Sequence, residues 1–578
     1  MRLAAPGSCD DLKSSGPGIG AGGSALVRCR SGTPAFLLSQ GRPVFLQKGL
    51  RATGSSVGNL RDTPTAGTKR FHLEEITVNR FGQRIVMCTS MLLAITVAPM
   101  ASAAISNPTV TGPIPSDALG SDSHNYPFFA TNLDLASYGY VEEEFFLQGT
   151  ASNFNTSNTA NATVRSTGNP YKIRILVRRP ISASKFNGVV MVDWLNVTNN
   201  FEFDTEWPRA YRYIMRTGAI YVGAGVQRIG QIGSGTPNLG LKAWSPARYG
   251  TLDVTVGGTL NDDSLRFDIW SQVAKALRSP VGTDPLVGMR PTVLIATGDS
   301  QSASNLATYA NSVHPLEPIY DAFLALGNLG TNIRTDITTK YFKVNSEYDV
   351  IQSDAGTRRA DTNKFVTWEV AGASHSDYWN WIYGAPIRYR DLAEYGYVHA
   401  PPNNPACRLP SRTQVDYYKV IHAAYDHTIR WVTQGIQPPS APPIQVTTTT
   451  PRRAVRNSYG IALGGIRLYG EDVPIGFNAG WQLGVAAAAN TSCQQNGTYI
   501  DFLQHDRQTV VFPISATVSE TYTLPSLDEL YPPGQPIPES YGMKVLNSNM
   551  QNFLKGYILK PDMFVFEDAS QRDQITHE

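Results

Sequence analysis

Five short runs of almost continuously apolar, often β-branched residues punctuate the middle of the chain: NGVVMVDW (187–194), GAIYVGAGV (218–226), PTVLIAT (291–297), KYFKVNS (340–346) and KFVTWEVA (364–371). Runs of this kind suit strands buried on both faces, as in a parallel sheet. Between them EWPRAYRYIMRTG (206–218) carries apolar residues at helical spacing and closes on Gly218, and SLRFDIWSQVAKALRS (264–279) repeats the pattern with Phe267, Ile269, Trp270, Val273 and Leu277. Earlier, YVEEEFFLQGTA and YKIRILVRRP have the alternating or aromatic-rich look of antiparallel strands. TQVDYYKVIHAAYDHTIRWVTQG (413–435) predicts a long final helix. Strand and helix alternate, which predicts an α/β fold built on a doubly wound, mostly parallel sheet.

The two ends of the chain read differently. The stretch IQPPSAPPIQVTTTTPRR has the Pro- and Thr-rich composition of a linker, assigned to 437–453, and 454–578 is expected to form a C-terminal lobe or extension packed on the sheet, or else a separate module. Residues 1–82, rich in Gly, Ser and Arg, are expected to be a disordered extension or to precede the true start. Segment 83–103 has the layout of a secretory signal peptide, with Arg80 and Arg84 ahead of a short apolar stretch and Ala101, Ser102 and Ala103 behind it. A transit peptide and an internal membrane anchor are the alternatives. The expectation is a secreted domain beginning at residue 104, with no stable membrane span once the signal is removed.

Composition narrows the classes. With 578 residues, 42% of them hydrophobic, the chain can bury a sizeable core, and a net charge of +2 with 17% charged residues gives no basic field for nucleic acid. Of five cysteines only Cys407 and Cys493 follow the signal region, so a single disulfide between them is a candidate and a cysteine metal cluster is not expected. His422 and His427 fall five apart on the final helix, so they do not share a face as a metal-binding i, i+4 pair would. N-x-S/T strings stand at Asn155, Asn161, Asn196, Asn490 and Asn496.

The chemistry starts at GDSQSA, which follows directly on PTVLIAT and precedes a small-residue helical pattern. A serine hydroxyl is a poor nucleophile unless an imidazole takes its proton and a carboxylate orients that imidazole. On an open α/β sheet the serine stands on a strand-to-helix elbow, and the acid and then the histidine follow later strands. Ser300 occupies the elbow, with Gly298 and Ser302 as the small residues that let the turn close, Ser302 in place of the usual glycine. KYFKVNS is followed by Glu347 and Asp349; strand-end geometry favours Asp349 and leaves Glu347 as the alternative acid. KFVTWEVA is followed by Gly372 and His375. Backbone N–H groups of Gln301 and of Leu195 or Asn196 are the expected oxyanion donors, which predicts that Asn196 carries no glycan. Tyr378, Trp379 and Trp381 are candidates to wall a substrate pocket.

The strings VDWLNVT, GDSQSA, SEYDV, WEVAGASHSDYW, GGIRLYGEDVPIGF, LDELYP and GYILKPDM together resemble a largely uncharacterised family of α/β-hydrolase-domain proteins expected to be esterases. The resemblance covers roughly residues 105 to 570. It implies that the tail belongs to one hydrolase unit and that Ser300 and His375 match the nucleophile and base, while both acids remain open. The expected activity is a secreted serine esterase cleaving a small-molecule or lipid-like carboxylic ester, with no cofactor and no metal. An acyltransferase or thioesterase with the same triad, or an inactive binding module, are the alternatives.

Overall fold

The computed structural model describes residues 104–565 apart from 399, 402, 537 and 538, so the extension and signal peptide expected over 1–103 lie outside the described residues. Ten strands form one sheet: β1 (Thr109–Thr111), β2 (Tyr140–Asn155), β3 (Thr163–Pro180), β4 (Val189–Trp194), β5 (Ile220–Ala224), β6 (Val281–Gly282), β7 (Val293–Asp299), β8 (Ala322–Leu326), β9 (Lys340–Ser346) and β10 (Phe365–Val370). Their order is β10-β9-β8-β7-β4-β5-β3-β2-β1-β6. The block from β10 to β5 is parallel throughout, and β3 joins it antiparallel through β5.

The continuous apolar runs follow from the period-2 geometry of a strand between two helical layers. In β4, Val190, Val192 and Trp194 enter one core and Val189 and Met191 the other. The first core is covered by α2 (Arg266–Arg278) and α3 (Gln301–Ser312), the second by α1 (Trp207–Thr217) and α6 (Tyr417–Gln434). Two shorter helices matter to the site: α4 (Glu347–Gln352) and α5 (Tyr378–Leu392).

Three features differ from the sequence patterns. Strand β8, AFLAL, was not anticipated, because its Ala and Leu residues lack the β-branched signature that marked the others. The early hairpin is longer than its two patterns, at 16 and 18 residues. The aromatic segment after His375, which has no helical pattern among those predicted above, is the helix α5, capped by the Asp377 side chain.

The hairpin also carries buried charge. Arg174 of β3 pairs with Glu144 of β2 at 2.9 Å and with Glu202 at 2.8 Å; Arg178 pairs with Glu142 at 2.6 Å and Asp204 at 2.5 Å. Glu202 and Asp204 belong to the segment between β4 and α1, so these pairs fix its path over the end of the sheet.

The chain after α6 packs on the same unit. Ile466 bridges to Val370, laying tail backbone along the outer edge of β10, and Ile466, Leu468, Tyr557, Ile558 and Met563 join the second core. Arg456 pairs with the fully buried Glu347, whose carboxylate also accepts the N–H groups of Gly372 at 2.9 Å and Gly480 at 3.0 Å. His422 and His427 likewise serve the tail, through Asp562 at 3.1 Å and the Gly556 carbonyl at 2.8 Å. Cys407 and Cys493 are joined by a disulfide.

Removing one partner of a buried ion pair leaves the other charge uncompensated, at a cost of about 3 to 5 kcal/mol. Arg456→Met is therefore expected to lower the thermal unfolding midpoint markedly, and adding Glu347→Gln should recover part of the loss. An unchanged midpoint in the single variant would show that the pair contributes nothing.

Candidate active site

Strands β4 and β7 are neighbours, yet the chain runs from β4 to β5 on one side before returning to β7 on the other. Ligands of open α/β sheets bind outside the carboxyl ends of the strands at such a reversal. Asn196 follows β4 and Ser300 follows β7 at that point.

Ser300 is held at φ 63°, ψ −121°, a conformation that costs a non-glycine residue of order 1–3 kcal/mol. The turn is tight: a Cβ on Gly298 would lie 3.1 Å from the Ser302 Cβ. The Ser300 N–H donates to the Leu326 carbonyl at 3.0 Å, and Asn196 Nδ2 donates to the Asp299 carbonyl at 3.0 Å. The unanticipated β8 is thus one of the two clamps on the elbow.

His375 follows β10 through Gly372, and its Nδ1 stands 2.7 Å from Asp349 Oδ1. The other carboxylate oxygen of Asp349 accepts from the Ser346 N–H at 2.8 Å and the Ser346 hydroxyl at 2.7 Å, in the capping box that opens α4. Both Asp349 oxygens are therefore fixed, and the pairing assigns the Nδ1 proton to the Asp349 side of the ring. Glu347, two residues earlier, points instead to Arg456 and the tail, and does not meet the imidazole. Burial alone pulls the His375 pKa down, but the charge and hydrogen bond of Asp349, with Asp299 adding to them, outweigh it and leave the net value above 6.5.

Ser300 and His375 line one cavity of about 90 Å³, together with Asn196, Thr205, Arg209, Asn380, Arg388 and Gln495 among others. No hydrogen bond joins the Ser300 hydroxyl to His375 in this state, as is common before substrate tightens such a site. Gln495 comes from the tail, two residues from the disulfide at Cys493, so the tail supplies part of the cavity wall.

Two expectations are corrected. The N–H of Leu195 donates to the Ala224 carbonyl at 3.2 Å and that of Asn196 to the Phe203 carbonyl at 2.9 Å, so neither is free for an oxyanion. Gln301, in contrast, is the first residue of α3, where its N–H has no intrahelical acceptor. Tyr378, Trp379 and Trp381 do not line the cavity, because α5 is a helix and turns them away. Asn380 and Arg388, eight residues apart and thus on one face, line it, whereas Trp379, Ile382, Tyr383 and Pro386 line a second cavity of about 530 Å³ that shares only Arg209 with the first.

Arg209 itself was missed. Its Nη1 donates to Asp299 at 2.5 Å and its Nη2 to the His375 carbonyl at 2.7 Å, and its Nε lies 3.6 Å from Asp377. The available signal was a charged residue on the apolar face of EWPRAYRYIMRTG, beside Trp207, Ala210 and Tyr213. Below it, burial and the charges of Asp204 and Asp299 push Asp193 up to about 8, and burial with Asp193 and Asp299 raises Glu206.

The solved structures with similar folds are distant. They include a lidless serine hydrolase from Xanthomonas campestris (14% identity, covering 43% of this chain and 97% of that one, TM-score 0.24), an alpha-beta serine hydrolase homologue from Coxiella burnetii (11%, 39% and 93%, 0.22), and acetyl xylan esterase 1 from Thermoanaerobacterium (11%, 46% and 81%, 0.24). No curated protein sequence matches the chain. The family model of the alpha/beta hydrolase domain matches residues 110–564, which is most of the chain and nearly all of its described part, and the protein belongs to that family.

Proposed function

We propose that this hydrolase is a serine esterase, exported from the cytosol, that cleaves carboxylic esters through a Ser300–His375–Asp349 triad. The observation that carries the reading is the 2.7 Å pairing of His375 Nδ1 with Asp349, on an imidazole that shares its cavity with a serine held on a strained elbow. The disulfide between Cys407 and Cys493 supports an oxidising compartment.

In this scheme His375 Nε2 takes the Ser300 proton as Oγ attacks the acyl carbon, and Asp349 stabilises the imidazolium through Nδ1–H. The Gln301 N–H meets the oxyanion; Asn199, Asn380 and Gln495 bring the amide N–H groups from which a second donor can come. His375 then returns the proton to the departing alcohol, and water, deprotonated by the same nitrogen, releases the acid from Ser300.

Ser300→Ala should lower kcat on a simple aryl ester by at least about 10⁴-fold and abolish labelling by a fluorophosphonate. Undiminished turnover in that variant would exclude Ser300 as the nucleophile. Asp349→Ala should cost about 10⁴-fold in kcat, whereas Glu347→Gln should act mainly on the unfolding midpoint. A larger kcat loss at Glu347 would reverse the assignment of the acid. Because His375 must be neutral to act as base and its pKa is raised, kcat/KM should rise with pH through a midpoint above 6.5. Asp349→Asn removes the raising charge, so the residual activity, or the His375 imidazole followed by NMR, should titrate at lower pH than in the wild type.

A further inference from the structure

The cavity shared by Ser300 and His375 contains a charge that ester cleavage does not use. Arg388 of α5 lines it and is 9% exposed, and its Nε is buried without an acceptor. The guanidinium makes no hydrogen bond or ion pair with any described residue; it lies over the rings of Phe203 at 5.4 Å and Phe129 at 5.9 Å. Its buried neighbours are paired differently. Arg174, Arg178, Arg209 and Arg248 each hold a carboxylate, and Asp204, which acts on Arg388 at a distance, is taken by Arg178 at 2.5 Å. Arg412, also near, adds like charge.

Space is left for this group. Gly384 stands one helical turn earlier, and a Cβ there would fall 2.1 Å from Arg388 Nη1. A guanidinium removed from water without an anion costs several kcal/mol. Among the described residues the only other buried arginine without a carboxylate is Arg412, and it is hydrogen-bonded to Asn496 Oδ1 at 2.9 Å and to the Ser376 carbonyl at 3.4 Å, whereas Arg388 has neither kind of partner. The planar fork of arginine matches a carboxylate with two parallel hydrogen bonds.

We propose that Arg388 receives a carboxylate on the substrate, so that the esters cleaved here are monoesters of short dicarboxylic acids. The inference rests on the serine esterase reading and adds its substrate class. Placement agrees: Arg388 lines the same cavity of about 90 Å³ as Ser300 and His375, so a carboxylate it holds is a short chain away from the carbonyl under attack.

The test compares phenyl hydrogen succinate with phenyl 4-methylpentanoate, in which an isopropyl group replaces the carboxylate. Wild-type enzyme should favour the anionic ester in kcat/KM. Arg388→Met should lower the ratio of the two by about 10- to 100-fold, the effect of losing hydrogen bonds to a charged group. Gly384→Ala, which puts a methyl group where the guanidinium lies, should shift the ratio in the same direction. An equal or reversed preference in the wild type, or a ratio unmoved by Arg388→Met, would overturn the proposal while leaving the esterase reading intact. Binding is measured separately by calorimetry on Ser300→Ala protein, which needs no turnover. Phenyl hydrogen succinate should bind this protein and bind more weakly once Arg388→Met is added; no binding to the Ser300→Ala protein would also overturn the proposal. Failure of the fluorophosphonate to label Ser300 would instead remove the reading on which it rests.

Discussion

Arg209 is the group on which the geometry of the site depends. A buried charge is tolerated only when paired, and this guanidinium binds Asp299, the His375 carbonyl and, more loosely, Asp377. These partners lie 90, 166 and 168 residues along the chain from Arg209 itself, on the elbow, on the histidine loop and at the cap of α5. Asp299 immediately precedes Ser300, so fixing its carboxylate fixes the serine. Fixing the carbonyl of His375 sets the ring that reaches Asp349. The strained backbone of Ser300 persists because Arg209, Asn196 and the Leu326 carbonyl all hold the turn from outside.

Charge pairing extends from the hairpin to the cavity. Arg174 and Arg178 hold Glu202 and Asp204, and so determine where the segment leading into α1, and therefore Arg209, begins. Each link relieves the burial cost of the next carboxylate. Arg388 stands outside this chain of pairs, in the lining of the cavity that holds Ser300 and His375. The same contrast separates the two acids of SEYDV. Residues two apart on a helix point to different sides, so α4 sends Asp349 to the histidine and Glu347 to the tail. One carboxylate fits the chemistry, and the other joins the tail to the turn after β10.

The tail is therefore part of the site's construction. It covers the edge of β10, supplies the countercharge to Glu347 and brings Gln495 into the cavity wall. Nothing in its aromatic and glycine-rich sequence announces these contacts, because its elements are short and its partners are roughly a hundred residues away.

The sequence by itself determined the class of the fold, through apolar runs that only a sheet buried on both faces can use, and it determined where along the chain Ser300, Asp349 and His375 fall, since each follows a strand end. Local signals of that kind survive in a one-dimensional reading. It favoured Asp349 without excluding Glu347, because both follow the same strand and the choice rests on which side of α4 meets His375. It misjudged Leu195 and Asn196, whose N–H groups are claimed by Ala224 and Phe203 from other segments, and it misjudged Tyr378, Trp379 and Trp381, because helical phase in α5 presents Asn380 and Arg388 instead. Arg209 and Arg388 carry no motif. Their roles come from burial and from which charges lie beside them, and tertiary packing alone fixes both.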